Sequence, residues 1–263
     1  MIDAHNHLHD QRLAPHRAEI LAELAKIGIT RAVVNGTRED DWDAVATIAR
    51  EHPFVLPSFG LHPWHVPQRS ARWLDDLRAR LDTHPHGAIG EIGLDRWIEG
   101  HDIDAQREVF TAQLGIAAGR NLPVTIHCIR AWGALWEIIR THPLPARGFL
   151  IHAYGGPAQM VRGFADRGAY FSYNAYFLHT RKASQRAIFA ELPADRLLVE
   201  TDAPDLSPPD DLNPRPLSDA SGNPINHPAN IALAYESLAA LRGMRAEELA
   251  QIVEENFARL FGA

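Results

Sequence analysis

The feature that most limits the fold is an alternation running the length of the chain. Short apolar runs that read as buried strands are separated by longer amphipathic stretches that read as helices. Strands are expected near 1–5, 31–36, 54–60, 87–92, 123–127, 148–152, 169–174 and 196–202. Helices are expected near 16–27, 39–51, 70–82, 104–120, 131–141, 157–167, 182–191, 229–241 and 246–260, with Asp104 as an N-cap and Gly28 as a C-cap. Parallel strands cannot be joined by a tight turn, so this repeat makes a parallel sheet with crossover helices. Eight units predict an α/β fold of the (β/α)8 TIM-barrel type, with the helix near 246–260 as an additional C-terminal helix. The 263 residues suit one such domain, and no linker or low-complexity tract divides them.

In a barrel of this kind the residues that end the strands share one face. Five of these strand ends carry six residues with metal-ligand chemistry. His5 and His7 follow the apolar start Met1-Ile2-Asp3-Ala4, and because side chains two apart on a strand share a side, both imidazoles can chelate one ion while Asn6 points away. Glu91, His127, His152 and Asp202 each close or follow an apolar run. Any one of these alone is weak evidence, since a His at a strand end is most often a hydrogen-bonded structural residue. The two acids say more. A carboxylate buried at the end of an apolar strand needs a partner, the matching strand ends carry no Arg or Lys, and four His stand there instead.

Four imidazoles and two carboxylates exceed what one catalytic ion with an open position takes, so two ions share them more naturally. In that arrangement Glu91 bridges, His5, His7 and Asp202 hold one ion, and His127 and His152 hold the other. The donor set suits Zn2+ and also admits Mg2+ or Mn2+. A water between two ions roughly 3.5–4 Å apart would become the nucleophile, with Asp202 and Glu91 as the catalytic carboxylates beside it and Asp202 accepting its proton.

Net charge is −7, so no overall field draws the chain to nucleic acid or an anionic membrane, and any phosphate must be captured locally. Lone Cys128 rules out an intramolecular disulfide. The start of the chain shows neither a basic nor an apolar leader, and no apolar run is long enough to span a bilayer. The expectation is a cytoplasmic protein with no membrane association and no obligate protein partner.

Over almost its whole length the chain resembles the TatD-type metal-dependent deoxyribonucleases of the amidohydrolase superfamily. The pieces that carry the resemblance include Asp3-Ala4-His5-Asn6-His7-Leu8, Gly60-Leu61-His62-Pro63-Trp64, Ile89-Gly90-Glu91-Ile92-Gly93-Leu94-Asp95, Pro123-Val124-Thr125-Ile126-His127, Val199-Glu200-Thr201-Asp202-Ala203-Pro204 and Glu255-Asn256-Phe257-Ala258-Arg259-Leu260-Phe261-Gly262. The resemblance implies a TIM-barrel hydrolase with one or two divalent ions on the six residues above, and phosphodiester hydrolysis of DNA or a small phosphodiester. The rim departs from the family pattern. Ala153-Tyr154-Gly155-Gly156 replaces Cys-Phe-Ser-Gly after His152, Ile129 stands where an Arg is usual, and Arg96-Trp97 follows Gly93-Leu94-Asp95 in place of an aromatic pair.

Around this set, His62, Arg130 and Glu200 are expected to meet substrate. His62 would donate to a phosphoryl or carbonyl oxygen, Arg130 would grip an anion with help from Arg96, and Glu200, two before Asp202, would face the same side of its strand. Trp64, Trp97, Trp132 and Tyr154 are candidates for stacking on a base. The proline-rich stretch 203–228 is too long for a plain connection and is expected to form a stiff rim of the mouth. Two alternatives stay open: an amidohydrolase acting on an amide, lactone or other carbonyl ester at the same site, and a catalytically idle binding protein, against which the intact ligand set argues.

Overall fold

A computed structural model describes residues 1–262. Eight parallel strands form one sheet in chain order: β1 (Ile2–Asn6), β2 (Arg31–Asn35), β3 (Val55–Phe59), β4 (Ala88–Asp95), β5 (Val124–Ile129), β6 (Phe149–Ile151), β7 (Ala169–Tyr173) and β8 (Leu197–Val199). The intervening helices are α1 (Arg17–Lys26), α2 (Trp42–Glu51), α3 (Trp73–Thr83), α4 (Ile103–Arg120), α5 (Trp132–Thr141), α6 (Val161–Asp166), α7 (Ala183–Glu191) and α8 (Ile231–Leu241), followed by α9 (Ala246–Phe261). This is the expected (β/α)8 barrel with its extra C-terminal helix.

The strands are buried on both faces, which is why they are near-continuous apolar runs without an inside–outside alternation. Phe110, Phe149, Phe171 and Phe189 are fully buried between strands and helices, each contributing roughly 1.5–3 kcal/mol by leaving water. Helix α9 packs against β8 and β1 through a face that includes Leu249, Val253, Phe257 and Leu260, and so covers the seam where the sheet closes. Its Asn256 ties that helix down by donating to the carbonyls of Ala194 and Leu197 at 2.7 and 2.8 Å.

The seam itself matters for the site. Beyond the last residue of β8 the chain stays beside β1: the Asp202 N–H donates to the His5 carbonyl at 2.9 Å, and the His7 N–H donates to Ala203 at 2.8 Å. Buried Asp3 reinforces this, accepting from the Thr201 N–H at 3.0 Å and its hydroxyl at 2.6 Å. Asp202 takes a left-handed backbone there, with φ of 56°, a conformation that Asp tolerates better than most residues.

Two local expectations change. The N-cap of α4 is Asp102, whose carboxylate accepts from the Asp104 and Ala105 N–H groups; Asp104 lies inside the first turn, where its charge favours the helix dipole. Gly28 does end α1 with φ of +76° and its N–H on the Ala25 carbonyl. The second change is the stretch 203–228. Its middle forms a small antiparallel ribbon, β9 (Leu217–Ser218) with β10 (Pro224–Ile225), and leans on the outside of the barrel. Arg215 pairs with Glu23 in the second turn of α1, and His16 meets the Ser218 carbonyl at 3.1 Å. Both ends of the segment stay beside the strand-eight end, with Asp205 paired to Arg12 at 2.8 Å and Asn226 donating to the Pro204 and Thr201 carbonyls at 2.8 and 2.9 Å. Among the described residues, no helix is long and apolar enough to cross a membrane.

Candidate metal centre

All six sequence-selected ligands meet at the C-terminal mouth of the barrel, each no more than 8% exposed. Glu91, in the middle of β4, stands at the centre, and its two oxygens face opposite ways. Oε2 lies 3.6 Å from His5 Nε2 and 3.4 Å from His7 Nε2; Oε1 lies 3.0 Å from His127 Nδ1 and 2.8 Å from His152 Nε2. Asp202 Oδ1 joins the first pair, 3.1 Å from His5 and 3.4 Å from His7. Three groups of donor atoms lie within 4.8 Å of one another: His5, His7 and Asp202; His5, Glu91 and His152; His62, Glu91 and His127.

Donor chemistry fits cations at this centre. Both ring nitrogens of His5 are buried without a hydrogen-bond partner among the described residues, an orphaned polar group that a metal bond would satisfy. The His5 and His152 rings stack at 4.1 Å, a geometry poorly suited to two imidazolium charges and well suited to two neutral ligands. The outward nitrogens of the other rings face acceptors, which leaves the inward lone pairs available. His7 Nδ1 meets the Asn35 carbonyl at 2.7 Å, and His127 Nε2 meets Asp95 at 2.9 Å. His152 Nδ1 faces Glu200 at 3.7 Å, longer than a hydrogen bond. These sets give the chain the capacity to hold one or two divalent ions.

Charge is concentrated here. Burial by itself would raise the Glu91 pKa, but the surrounding His62, His152 and His5 and a hydrogen bond from His127 hold it well below the usual carboxylate range. Asp202 is likewise buried yet held low by His5 and His7. Burial disfavours protons on His7, His127 and His152, and the facing carboxylates overcome it, so all three lie above the ordinary imidazole value. An array that takes up protons in this way is one that a divalent cation would displace.

His62 differs. Burial pulls it down to about 4, and its Nδ1 accepts the Trp64 N–H at 3.2 Å, which leaves Nε2 carrying the proton 3.4 Å from Glu91 Oε1. A ring fixed in that tautomer is a neutral donor, so its presence in the third donor group does not make it a ligand.

The expected outer residues divide. Arg130, with Arg96 beside it, is exposed at the mouth, next to the His127 strand end, and neither guanidinium has an ion-pair partner among the described residues. Glu200 is fully buried behind His152, bonded to Ser172 and, at 3.0 Å, to Asn174; its place is with the ligand and not at the open face. Tyr154 is also fully buried and is a core aromatic, not a stacking surface, and half-buried Trp132 packs edge-on against it at 5.0 Å.

Asp95 is the residue that sequence reasoning passed over. It is fully buried, receives His127 on one oxygen together with the Trp64 indole N–H at 2.7 Å, and is held at about 2 against the opposing effect of burial. Strand parity was the available signal, since Asp95 lies four after Glu91 and shares its side. The Asn35 contribution comes from a backbone carbonyl and has no such signal.

A cavity of about 430 Å3 opens at the opposite end of the barrel, lined by strand starts such as Arg31, Val55 and Pro123, and holds none of these ligands.

The family model for TatD related DNase matches residues 2–262. The chain belongs to the TatD family. It is accordingly a metal-dependent hydrolase of ester-type bonds, whose candidate dinuclear site suits phosphodiesterase chemistry. Among its relatives, the uncharacterized metal-dependent hydrolase YjjV of Escherichia coli strain K12 is 29% identical over 262 residues, covering 99% of this chain and 97% of the relative. The 3'-5' ssDNA/RNA exonuclease TatD of Erwinia tasmaniensis is 30% identical over 263 residues, covering 99% of both. The crystal structure of the E. coli YjjV TatD homolog superposes with a TM-score of 0.90 at 28% identity, over 100% of this chain and 98% of that one.

Proposed function

We propose that this TatD-family chain hydrolyses phosphodiester bonds of single-stranded DNA or of a small phosphodiester, with two divalent ions held as His5, His7 and Asp202 on one side of Glu91 and His127 and His152 on the other. The observation that carries this reading is the division of the Glu91 oxygens between the two pairs of imidazoles. The mixed imidazole and carboxylate donors suit Zn2+ or Mn2+, and with water ligands also Mg2+. When bound, such ions supply Lewis acidity and an activated water.

The chain's own residues do the rest. Asp202 points Oδ1 at His5 and His7, which leaves Oδ2 to orient the attacking water and accept its proton. His62 Nε2–H donates to a phosphoryl oxygen, and Arg130 attracts the substrate's charge from the rim. Asp95 and Glu200 act through His127 and His152, as positioning groups. A single-stranded substrate is supported by the name of the Erwinia relative.

The test is to load the purified protein with Mn2+, Zn2+ or Mg2+ and assay labelled single-stranded DNA beside a panel of lactones and amides. Metal-dependent release of nucleotides is expected. Turnover confined to lactones or amides would overturn the phosphodiester reading in favour of carbonyl hydrolysis on the same site.

A further inference from the structure

Two of the three large apolar side chains that stand exposed among the described residues flank the metal centre: Trp64 at 40% and Trp97 at 57%. Large exposed aromatics beside a catalytic mouth call for an explanation, since burying them would have been favourable. Each follows a strand end on the catalytic face, Trp64 after β3 and Trp97 after β4.

One carboxylate holds both. Asp95 takes the Trp64 indole N–H on Oδ2 and the Trp97 backbone N–H on Oδ1, at 2.7 and 2.6 Å, while Oδ2 also receives His127. The Trp64 ring stands edge-on to His62 at 5.1 Å, so its position relative to the centre is fixed. The Trp97 ring makes no hydrogen bond or aromatic contact among the described residues, and its indole is presented to solvent. Beside it, the Arg96 N–H donates to the Ile129 carbonyl at 3.0 Å and brings Arg96 next to Arg130, two exposed cations without acidic partners among the described residues. Glu99 and His101 complete that loop, so the aromatic rings, more than net charge, distinguish this side. Across the mouth, by contrast, the cation Arg12 is committed to Asp10 and Asp205.

We propose that Trp64 and Trp97 form a base-stacking platform for the single strand that enters the metal centre, with Arg96 and Arg130 meeting its backbone. Every base has a π-face, so such a platform recognises nucleic acid as a class without reading sequence, and it disfavours a phosphodiester that lacks bases. The inference rests on the phosphodiester reading above and narrows it to single strands that carry bases.

Binding without turnover tests it. The metal-free protein in chelator is titrated with a labelled oligothymidylate of eight nucleotides and with an abasic strand of the same length, followed by fluorescence anisotropy. The thymidylate is expected to bind about tenfold more tightly than the abasic strand, and Trp97→Ala is expected to remove most of that preference. Trp64→Phe keeps a ring but lets go of Asp95, and should weaken it less. Equal affinity for both strands, or a preference untouched in Trp97→Ala and Trp64→Phe, would overturn the platform. So would an oligomeric state that dissociates in Trp97→Ala while thymidylate binding is retained, since that places Trp97 in a protein interface. Failure of the metal-loaded enzyme to cleave DNA would instead count against the phosphodiester reading, and the binding titration is independent of that result.

Discussion

The two halves of the centre are built from similar donors and held by different means. On one side, His5, His7 and Asp202 sit on neighbouring chain segments that are locked to one another by backbone hydrogen bonds across the barrel seam, from Asp202 to His5 and from His7 to Ala203. The outer partner of His7 is a neutral carbonyl, that of Asn35. On the other side, His127 and His152 come from adjacent strands; His127 is hydrogen-bonded to the Asp95 carboxylate, and His152 faces that of Glu200 at 3.7 Å. A carbonyl orients a ring and adds little charge, whereas a carboxylate also makes the imidazole a stronger donor. The seam half is therefore fixed chiefly by the fold, and the β5–β6 half by side-chain electrostatics. Glu91 is the group they share.

Removing that shared group should have the largest effect. Glu91→Gln is expected to lower kcat by on the order of 10³-fold and to leave fewer than one ion per chain in elemental analysis, because both halves lose a charged donor. Full metal content in that variant would mean that the halves do not depend on a common bridge.

Asp202→Asn tests the seam half. It keeps the size and the backbone bond to His5 but removes basicity, so kcat should fall about 10²- to 10⁴-fold while at least one ion is retained. Near-normal kcat would remove Asp202 from its role as base.

The electrostatic half is probed by Asp95→Asn, which should weaken one metal-binding step about 10- to 100-fold in calorimetry and leave the other step unchanged. Equal weakening of both steps would erase the distinction drawn here.

Acidity separates the halves from the metal. His7, His127 and His152 are raised in the folded protein, so in chelator their contribution to stability is complete below the ordinary imidazole value of about 6.5 and is lost as pH climbs through the raised values. The lowered Glu91 and Asp202 are the other members of the same ion pairs, and their contribution is lost only as pH falls below the carboxylate range. The gain in Tm from Mn2+ over chelator should therefore grow between pH 6 and 9. A gain that shrinks with rising pH would contradict the proton-for-metal exchange.

Smallest is the effect expected from the outer segment. Because Arg215 reaches Glu23 on the barrel's flank, Arg215→Ala should cost about 1 kcal/mol or less and leave kcat/KM unchanged. A KM shifted by more than about threefold would return this part of the 203–228 segment to the substrate mouth.

Much of this could be read before any coordinates. Strand parity and the strand–helix alternation located the barrel and brought Glu91, His127, His152 and the His5–His7 pair to one face, because a closed parallel barrel leaves its strand ends nowhere else to point. Parity also contained Asp95, although a buried acid two residues beyond a glycine was not singled out. The reading of Glu200 went too far: sharing a strand side with Asp202 brings a residue near the centre but does not decide whether it lies in front of His152 or behind it.

What the sequence by itself determined was the repeat of elements, the donor types and the face they share, since these depend on local periodicity and on a closure rule that holds for any such barrel. What only the tertiary structure decided was which oxygen of Glu91 faces which imidazoles, which nitrogen of His62 carries the proton, and that residues 213–218 turn away from the mouth to lean on α1. Those outcomes are set by distances of a few ångströms between residues far apart in the chain, by the backbone carbonyl of Asn35 as much as by any side chain, and no periodicity encodes them.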